Sequence, residues 1–177
     1  MKTFSKLYII GSGSHAINIQ SLVKYFYPDV TAILKKVEDI EQIPLKESCH
    51  VAIGDNKFRR KVFDQLSSIG MLLPNLYFTT EKPMDNNNTN GCVFMPRTYL
   101  APTVEFENNI IFNTASIVEH HSFIGANCHI GPGAVICGSV RIGNGSLIGA
   151  NSTIIPKIIL SKNSFIKAGQ VVKLNVT

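Results

Sequence analysis

The chain has 177 residues, 45% of them apolar, with 17 Lys and Arg against 12 Asp and Glu for a net charge of +5. That is enough for one large domain or two small ones with a real core, and no stretch approaches the ~18–20 apolar residues of a membrane span. The cysteines, Cys49, Cys92, Cys128 and Cys137, include no CxxC pair, so neither a zinc site nor a disulfide framework is expected, and a reducing cytoplasm is the expected compartment.

In chain order, the N-terminal third alternates strand and helix patterns. Lys6–Ile10 reads as a short buried strand, its apolar run Leu7 to Ile10 too brief for a signal peptide. Gly11-Ser12-Gly13-Ser14-His15-Ala16 follows as a tight turn into a helix carrying Ile17, Ile19, Leu22, Val23 and Phe26, ended by Pro28. Val30–Leu34 is the second expected strand and His50–Ile53 the third, closed by Gly54-Asp55-Asn56. Asp55 or Asn56 can cap the next helix, whose apolar face is Phe58, Val62, Phe63, Leu66 and Ile69, with Gly70 as its stop. Met71–Phe78 reads as a fourth strand, placed at an edge by Pro74. Strands separated by helices imply a small parallel sheet. Thr79–Gly91 is polar and turn-rich, so the domain join is expected there, dividing residues 1–80 from residues 92–177.

From Phe94 to Val172 every sixth residue is apolar without a miss: Phe94, Leu100, Phe106, Phe112, Val118 and Ile124, then Ile130, Ile136, Ile142, Ile148, Ile154, Leu160, Ile166 and Val172. About half of a globular chain is apolar, so chance gives such a run roughly once in ten thousand. A period of six is neither helical nor a simple alternation. It marks a solenoid whose short flat faces each send one side chain to a central column. IGANCH, IGPGAV, IGNGSL and IGANST supply the corners, where Gly and Asn accept backbone angles other residues resist. With three faces per turn, residues 18 apart stack.

Residues 1–119 balance their charges, whereas residues 120–177 hold Arg141, Lys157, Lys162, Lys167 and Lys173 and no acid. An all-positive solenoid end suits a polyanion. Five charges over 58 residues, with only Phe123 and Phe165 as aromatics, make a thin nucleic-acid footprint, so a small phosphate-rich molecule fits better.

Three constellations can carry chemistry. Gly11, Gly13 and Ala16 follow a strand and open a helix in the GxGxx(G/A) pattern, which lets backbone amides approach a phosphate or sugar; a plain tight turn is the alternative. Lys35-Lys36 stands where a ribose-binding acid would be, which argues against ordinary NAD. Gly54-Asp55-Asn56 with Arg59-Arg60-Lys61 ends the third strand at the same sheet edge, or else is a solvated basic helix face. The third group is Glu119-His120-His121 with His129. Stacking places His120 beneath Gly138, His121 beneath Ser139 and His129 beneath Leu147. An outward His120 suits a general base, and the unshielded Gly138 amide suits an oxyanion. Gaps of one and nine residues do not match the spacing of a zinc site built from these histidines, so no metal is expected.

The strand followed by Gly-Ser-Gly-Ser-His, the segment Val51–Arg60 and Asn113-Thr114-Ala115-Ser116-Ile117-Val118-Glu119-His120 before the hexapeptides resemble the sialic acid O-acetyltransferase family, which includes bacterial UDP-4-amino-sugar N-acetyltransferases. The resemblance covers roughly residues 5–172. It implies an α/β, Rossmann-like N-terminal domain that binds a sugar or nucleotide-sugar acceptor. It implies a left-handed parallel β-helix after it, a homotrimer, and acetyl-CoA bound along the helix between neighbouring subunits. Membrane insertion and nucleic acid are not part of that picture. By position, His120 matches the catalytic base, Gly138 the oxyanion glycine, and His129 a histidine near acceptor and thioester. The resemblance further implies cofactor contacts at Gly149, Ala150, Ile155, Lys157 and Ala168. Acceptor contacts fall at Gly11, Gly13, His15, Gly54, Asn56 and Asn113. The family usually has an acid after the catalytic histidine; His121 stands there, and a second imidazolium would lower the basicity of His120. Glu119 is the other candidate partner. Lys35 and Lys36 replace the acids expected to read a nucleoside, and the chain lacks a Gly-x-Pro-Ala-Lys type ending. The implied activity is transfer of acetyl to a sugar amine or hydroxyl in surface-glycan synthesis. A weakly active binding homologue and an enzyme with a non-nucleotide acceptor are the alternatives.

Overall fold

The structure is a computed structural model that describes residues 4–80, 82–84 and 88–176. It divides into two compact units between Pro74 and Asn75.

The first unit is a parallel three-stranded sheet of β1 (Lys6–Ile10), β2 (Thr31–Lys35) and β3 (Cys49–Val51), in the order β2-β1-β3. Helix α1 (Ser14–Phe26) joins the first two strands, and α2 (Asn56–Ser68) follows the third. Alternation assigns the faces. Tyr8, Ile10, Cys49 and Val51 form one core with Val62, Phe63 and Leu66 of α2. Leu7 and Ile9 take the other face, and α1 buries Ala16, Ile19 and Val23. A 3-10 turn over Val37–Gln42 follows β2 and places Glu38 and Asp39 there, so acids do stand after the second strand.

The fourth strand expected over Met71–Phe78 does not form in this sheet. Leu72 makes one parallel bridge with Ser48, while Leu76–Tyr77 (β4) pairs with Val93–Phe94 in the solenoid. Pro74 has no N–H to continue a ladder, so the segment splits between the two units around it. The boundary therefore falls ahead of the polar stretch that composition singled out.

The second unit is a left-handed parallel β-helix. Fourteen two-residue strands run from Val93–Phe94 to Val171–Val172, and the second residue of each is the hexad residue of the apolar series. All fourteen are buried. The strands stack in three parallel sheets with a register of 18 residues, as in Ile130↔Ile148 and Ile136↔Ile154. Every corner from Asn109 to Gly169 has one residue in the left-handed region, and where these stack, the series Asn109, Asn127, Gly145, Asn163 repeats every 18 residues. Asn109 Nδ2 donates to Asn127 Oδ1 at 2.7 Å, tying successive coils. At the first coils the column becomes aromatic: Phe94 stacks on Tyr77 at 4.8 Å and on Phe112 at 4.9 Å. Burying each aliphatic residue stabilises the column by about 1.5–3 kcal/mol, and truncating one to Ala costs about 2–5 kcal/mol. Among the described residues no helix is long and apolar enough to cross a membrane.

Candidate active site

The 18-residue register fixes the centre of the site. The Ser139 N–H donates to the His120 carbonyl at 2.9 Å, which sets His120 one coil below Gly138. A Cβ at position 138 would lie 2.5 Å from His120 Cε1 and 2.8 Å from Nε2. Only glycine leaves the imidazole its place. Among the described residues no acceptor takes the Gly138 N–H, so this amide is available to a developing negative charge. His120 is exposed, as its off-core hexad position requires.

His120 Nδ1 lies 3.0 Å from His121 Nδ1, with the rings edge to face at 81°. His121 has a left-handed backbone, φ 59°, and its N–H donates to Thr103 Oγ1 at 3.0 Å. The partner the structure gives His120 is thus His121. Glu119 stands one coil below Cys137, where burial first and the Glu119 charge second push the thiol up. Cys128 is buried, its Sγ donating to the Gly143 carbonyl at 3.3 Å, a wall role.

Asn113 and His129 form a second group. Asn113 Oδ1 accepts the Thr114 N–H at 2.8 Å, which turns its Nδ2 toward His129 Nε2 at 3.1 Å. An amide nitrogen only donates, so Nε2 accepts and neutral His129 carries its proton on Nδ1. His129 is held in one tautomer and its Nε2 is occupied.

The remaining cofactor positions divide between two corners. Ile155 packs on the solenoid core, and the exposed Lys157 donates its N–H to the Gly138 carbonyl at 3.1 Å, so both share the corner of His120. Gly149, Ala150 and Ala168 share the preceding corner with Asn113, and His129 leads into it. A Cβ on Gly149 would meet the Ala168 nitrogen and lie 2.7 Å from the Ile166 carbonyl oxygen, so coil packing alone requires that glycine. One hexad, with its two-residue strand, separates the two corners. The candidate residues of the solenoid therefore fall at two separate corners.

In the first unit, Gly11 is buried with φ 148°, and a Cβ there would lie 2.7 Å from the Ala52 carbonyl oxygen. Its role is the close passage of chain beside the β3 exit. Gly13 and Gly54 have open space around them. Asp55 caps α2 by accepting the Phe58 N–H at 2.7 Å, and the buried Asn56 opens that helix. His15, in the first turn of α1, is pushed down to about 4, by burial first and then by Arg59.

Of two residues that act on or with His15, Arg59 belongs to the second sequence constellation, whereas His50 reads in the sequence only as the start of a strand. His50 and Arg59 are each 1% exposed. The alternative of a solvated basic face does not hold for Arg59: its Nη1 donates to the Ile53 and Gly54 carbonyls at 3.2 and 3.3 Å. The signal was present, because Arg59 extends the stripe of Val62, Phe63 and Leu66. Burial, then His15, then Arg59 push His50 down to about 3. Neither His50 ring nitrogen has a hydrogen-bond partner among the described residues. Lys35 and Lys36 are engaged locally, Lys35 Nζ with Gln42 Oε1 at 3.0 Å and Lys36 with Glu38 at 3.8 Å.

Residues 121–156 match the family described as bacterial transferase hexapeptide, six repeats. The fold is similar to the acetyltransferase domain of PglB from Neisseria gonorrhoeae FA1090, solved in complex with acetyl coenzyme A. That likeness has a TM-score of 0.84 and 22% identity, over 98% of this chain and 93% of that one. PerB from Caulobacter crescentus, solved with CoA and GDP-perosamine, gives a TM-score of 0.80 and 23% identity over 98% and 91%. WeeI from Acinetobacter baumannii AYE gives 0.58 and 17% over 94% and 95%. At these identities the likeness carries the fold.

Proposed function

We propose that the chain is an acetyl-CoA-dependent acetyltransferase that acts on an amino or hydroxyl group of a sugar, nucleotide-linked, in bacterial surface-glycan synthesis. The observation that carries this reading is the His120 imidazole seated against Gly138, whose N–H has no acceptor among the described residues. His120 Nε2 takes the proton of the acceptor as its nitrogen or oxygen attacks the thioester carbonyl carbon. The Gly138 N–H stabilises the oxyanion. The C–S bond then breaks, and CoA leaves with the proton from the imidazolium. The structural relatives, one solved with acetyl coenzyme A and one with CoA and GDP-perosamine, support the same substrates here.

The division of candidate residues between two corners supports a homotrimer, in which the His120 corner of one subunit would meet the Asn113 and His129 corner of the next. Acetyl-CoA would lie between them, along Gly149, Ala150, Ile155, Lys157 and Ala168. The first unit is read as a small Rossmann-like domain that holds the acceptor near Gly13, His15, Gly54 and Asn56, in a cytoplasmic enzyme. Acetyl-CoA with a panel of amino-sugar nucleotides, followed by thiol release and product mass, tests this. Acetylation by the native chain and its loss in His120→Ala are expected; thiol release unchanged in His120→Ala would overturn the assignment. A monomer in light scattering at micromolar concentration would overturn the shared site.

A further inference from the structure

We propose that His121 is a positioning residue: its Nδ1 accepts the Nδ1–H of His120, which keeps Nε2 of His120 bare and ready to take the acceptor's proton. This rests on the reading of His120 as the base. The two Nδ1 atoms are 3.0 Å apart, hydrogen-bond distance. One must donate and the other accept, since two N–H groups cannot face each other there. Which atom carries the proton decides whether His120 can act. A neutral imidazole has one N–H and one lone pair. If His120 donates from Nδ1, its lone pair is on Nε2, the atom beside Gly138. If His121 donates, Nε2 of His120 carries the hydrogen and cannot accept one. The donating arrangement is therefore the one that makes a base.

The backbone explains how consecutive side chains meet. Neighbours in an extended chain point to opposite sides. His121 has φ 59° and its N–H is held by Thr103 Oγ1, so the chain turns there and its ring comes edge to face with that of His120. Gly138 fixes the other side of the His120 ring. During the reaction the His120 imidazolium keeps Nδ1–H directed at neutral His121, a charge-assisted hydrogen bond. This is the directional part of what a carboxylate would supply, without its charge. On this proposal His121 works for His120 through a hydrogen bond rather than against it through like charge.

The test reads the tautomer directly. Protein labelled with 15N in its histidine rings is examined by long-range 1H–15N correlation NMR at mildly alkaline pH, without substrate. His120 is expected to carry its proton on Nδ1 in the native chain and in His121→Asn, whose side-chain oxygen can accept and whose backbone tolerates the left-handed region. In His121→Ala the proton should redistribute toward Nε2. Turnover should fall about 10- to 100-fold in His121→Ala, the usual loss when a histidine's orienting partner goes, with KM for acetyl-CoA unchanged and activity largely restored in His121→Asn. A native His120 already protonated on Nε2, or a tautomer and turnover indifferent to His121→Ala, overturns the inference. A locked tautomer in a chain that transfers no acetyl group would instead overturn the proposed reaction and leave the lock standing.

Discussion

The two units each hold a pair of histidines, and the pairs are opposites. Burial is the largest cause of the depressed basicity of His15 and His50, Arg59 lowers both, and the charge of His15 further lowers His50. His120 and His121 are exposed and hydrogen-bonded to each other. Burial without partners suppresses the charged form, which leaves the first pair neutral across the physiological range. The second pair is instead held in place by a hydrogen bond while both rings stay open to solvent and substrate. Proximity of two imidazoles is therefore not a chemical signature; solvent and hydrogen bonding decide whether the pair is packing or machinery.

The largest effect expected comes from removing the second pair's base. His120→Ala should keep the fold, because the side chain lies outside the apolar column, and should keep acetyl-CoA binding. Turnover should drop by roughly 10²–10⁴. Unchanged turnover would erase the distinction and move the base elsewhere, with His129 and His15 the next candidates. His129 starts at a disadvantage, because Asn113 occupies its Nε2.

The first pair should reveal itself in acid. In the unfolded chain both histidines titrate near 6.5; in the fold His15 does so at about 4 and His50 at about 3. Between 6.5 and those values the unfolded state binds more protons, so stability is full above pH 6.5 and falls as the pH drops through the window. At pH 5 each should cost about 2 kcal/mol. His50→Leu should remove one contribution, so its melting temperature should fall less than the native one between pH 7.5 and pH 5. Parallel losses in the two proteins would show that His50 is not the acid-sensitive element.

Much of the second unit was legible because its periodicity is enforced by physics at every sixth position: each hexad residue must enter the column, so register, strands and the stacking of His120 under Gly138 follow from counting. What counting misses is direction. The left-handed turn at His121 falls in the six-residue corner series with Ala115 and Asn127, but the meeting of the His120 and His121 rings depends on side-chain rotamers that no spacing announces. The first unit was less legible for a different reason. Arg59 and His50 are polar residues in buried positions: a solvated face is one reading of Arg59 although the stripe of Val62, Phe63 and Leu66 continues through it, and the strand reading of His50 carries no sign that its ring is buried. Met71–Phe78 failed because one apolar run serves two units on either side of Pro74.

Gly138→Ala tests the contact that separates the second pair from the first. The new methyl group would lie 2.5 Å from His120 Cε1, so the ring must move. Because the ring faces outward, displacement should cost little stability, about 1 kcal/mol or less as for surface changes. Turnover should fall about 10- to 100-fold, since ångström-scale misplacement of a reacting group costs about that much. A large loss of stability with turnover intact would show that the glycine serves coil packing, as Gly149 does.

The smallest effect expected is also the most specific. His121→Asp exchanges a neutral acceptor for a charged one at a left-handed position that Asp tolerates. If the carboxylate reaches His120 Nδ1, it keeps the same tautomer and adds attraction for the imidazolium formed when Nε2 takes the proton. Activity near pH 7 to 8 should then be preserved or raised. The acidic limb of the pH–rate profile should move to higher pH, because an added carboxylate favours the imidazolium. The shift distinguishes hydrogen bonding from charge. His121→Asn supplies the oxygen without the charge and should restore turnover while leaving the limb where the native chain has it. A limb unmoved in His121→Asp, or moved to lower pH, would show that position 121 does not touch the reacting proton through His120. The exposed pair would then be as silent as the buried one.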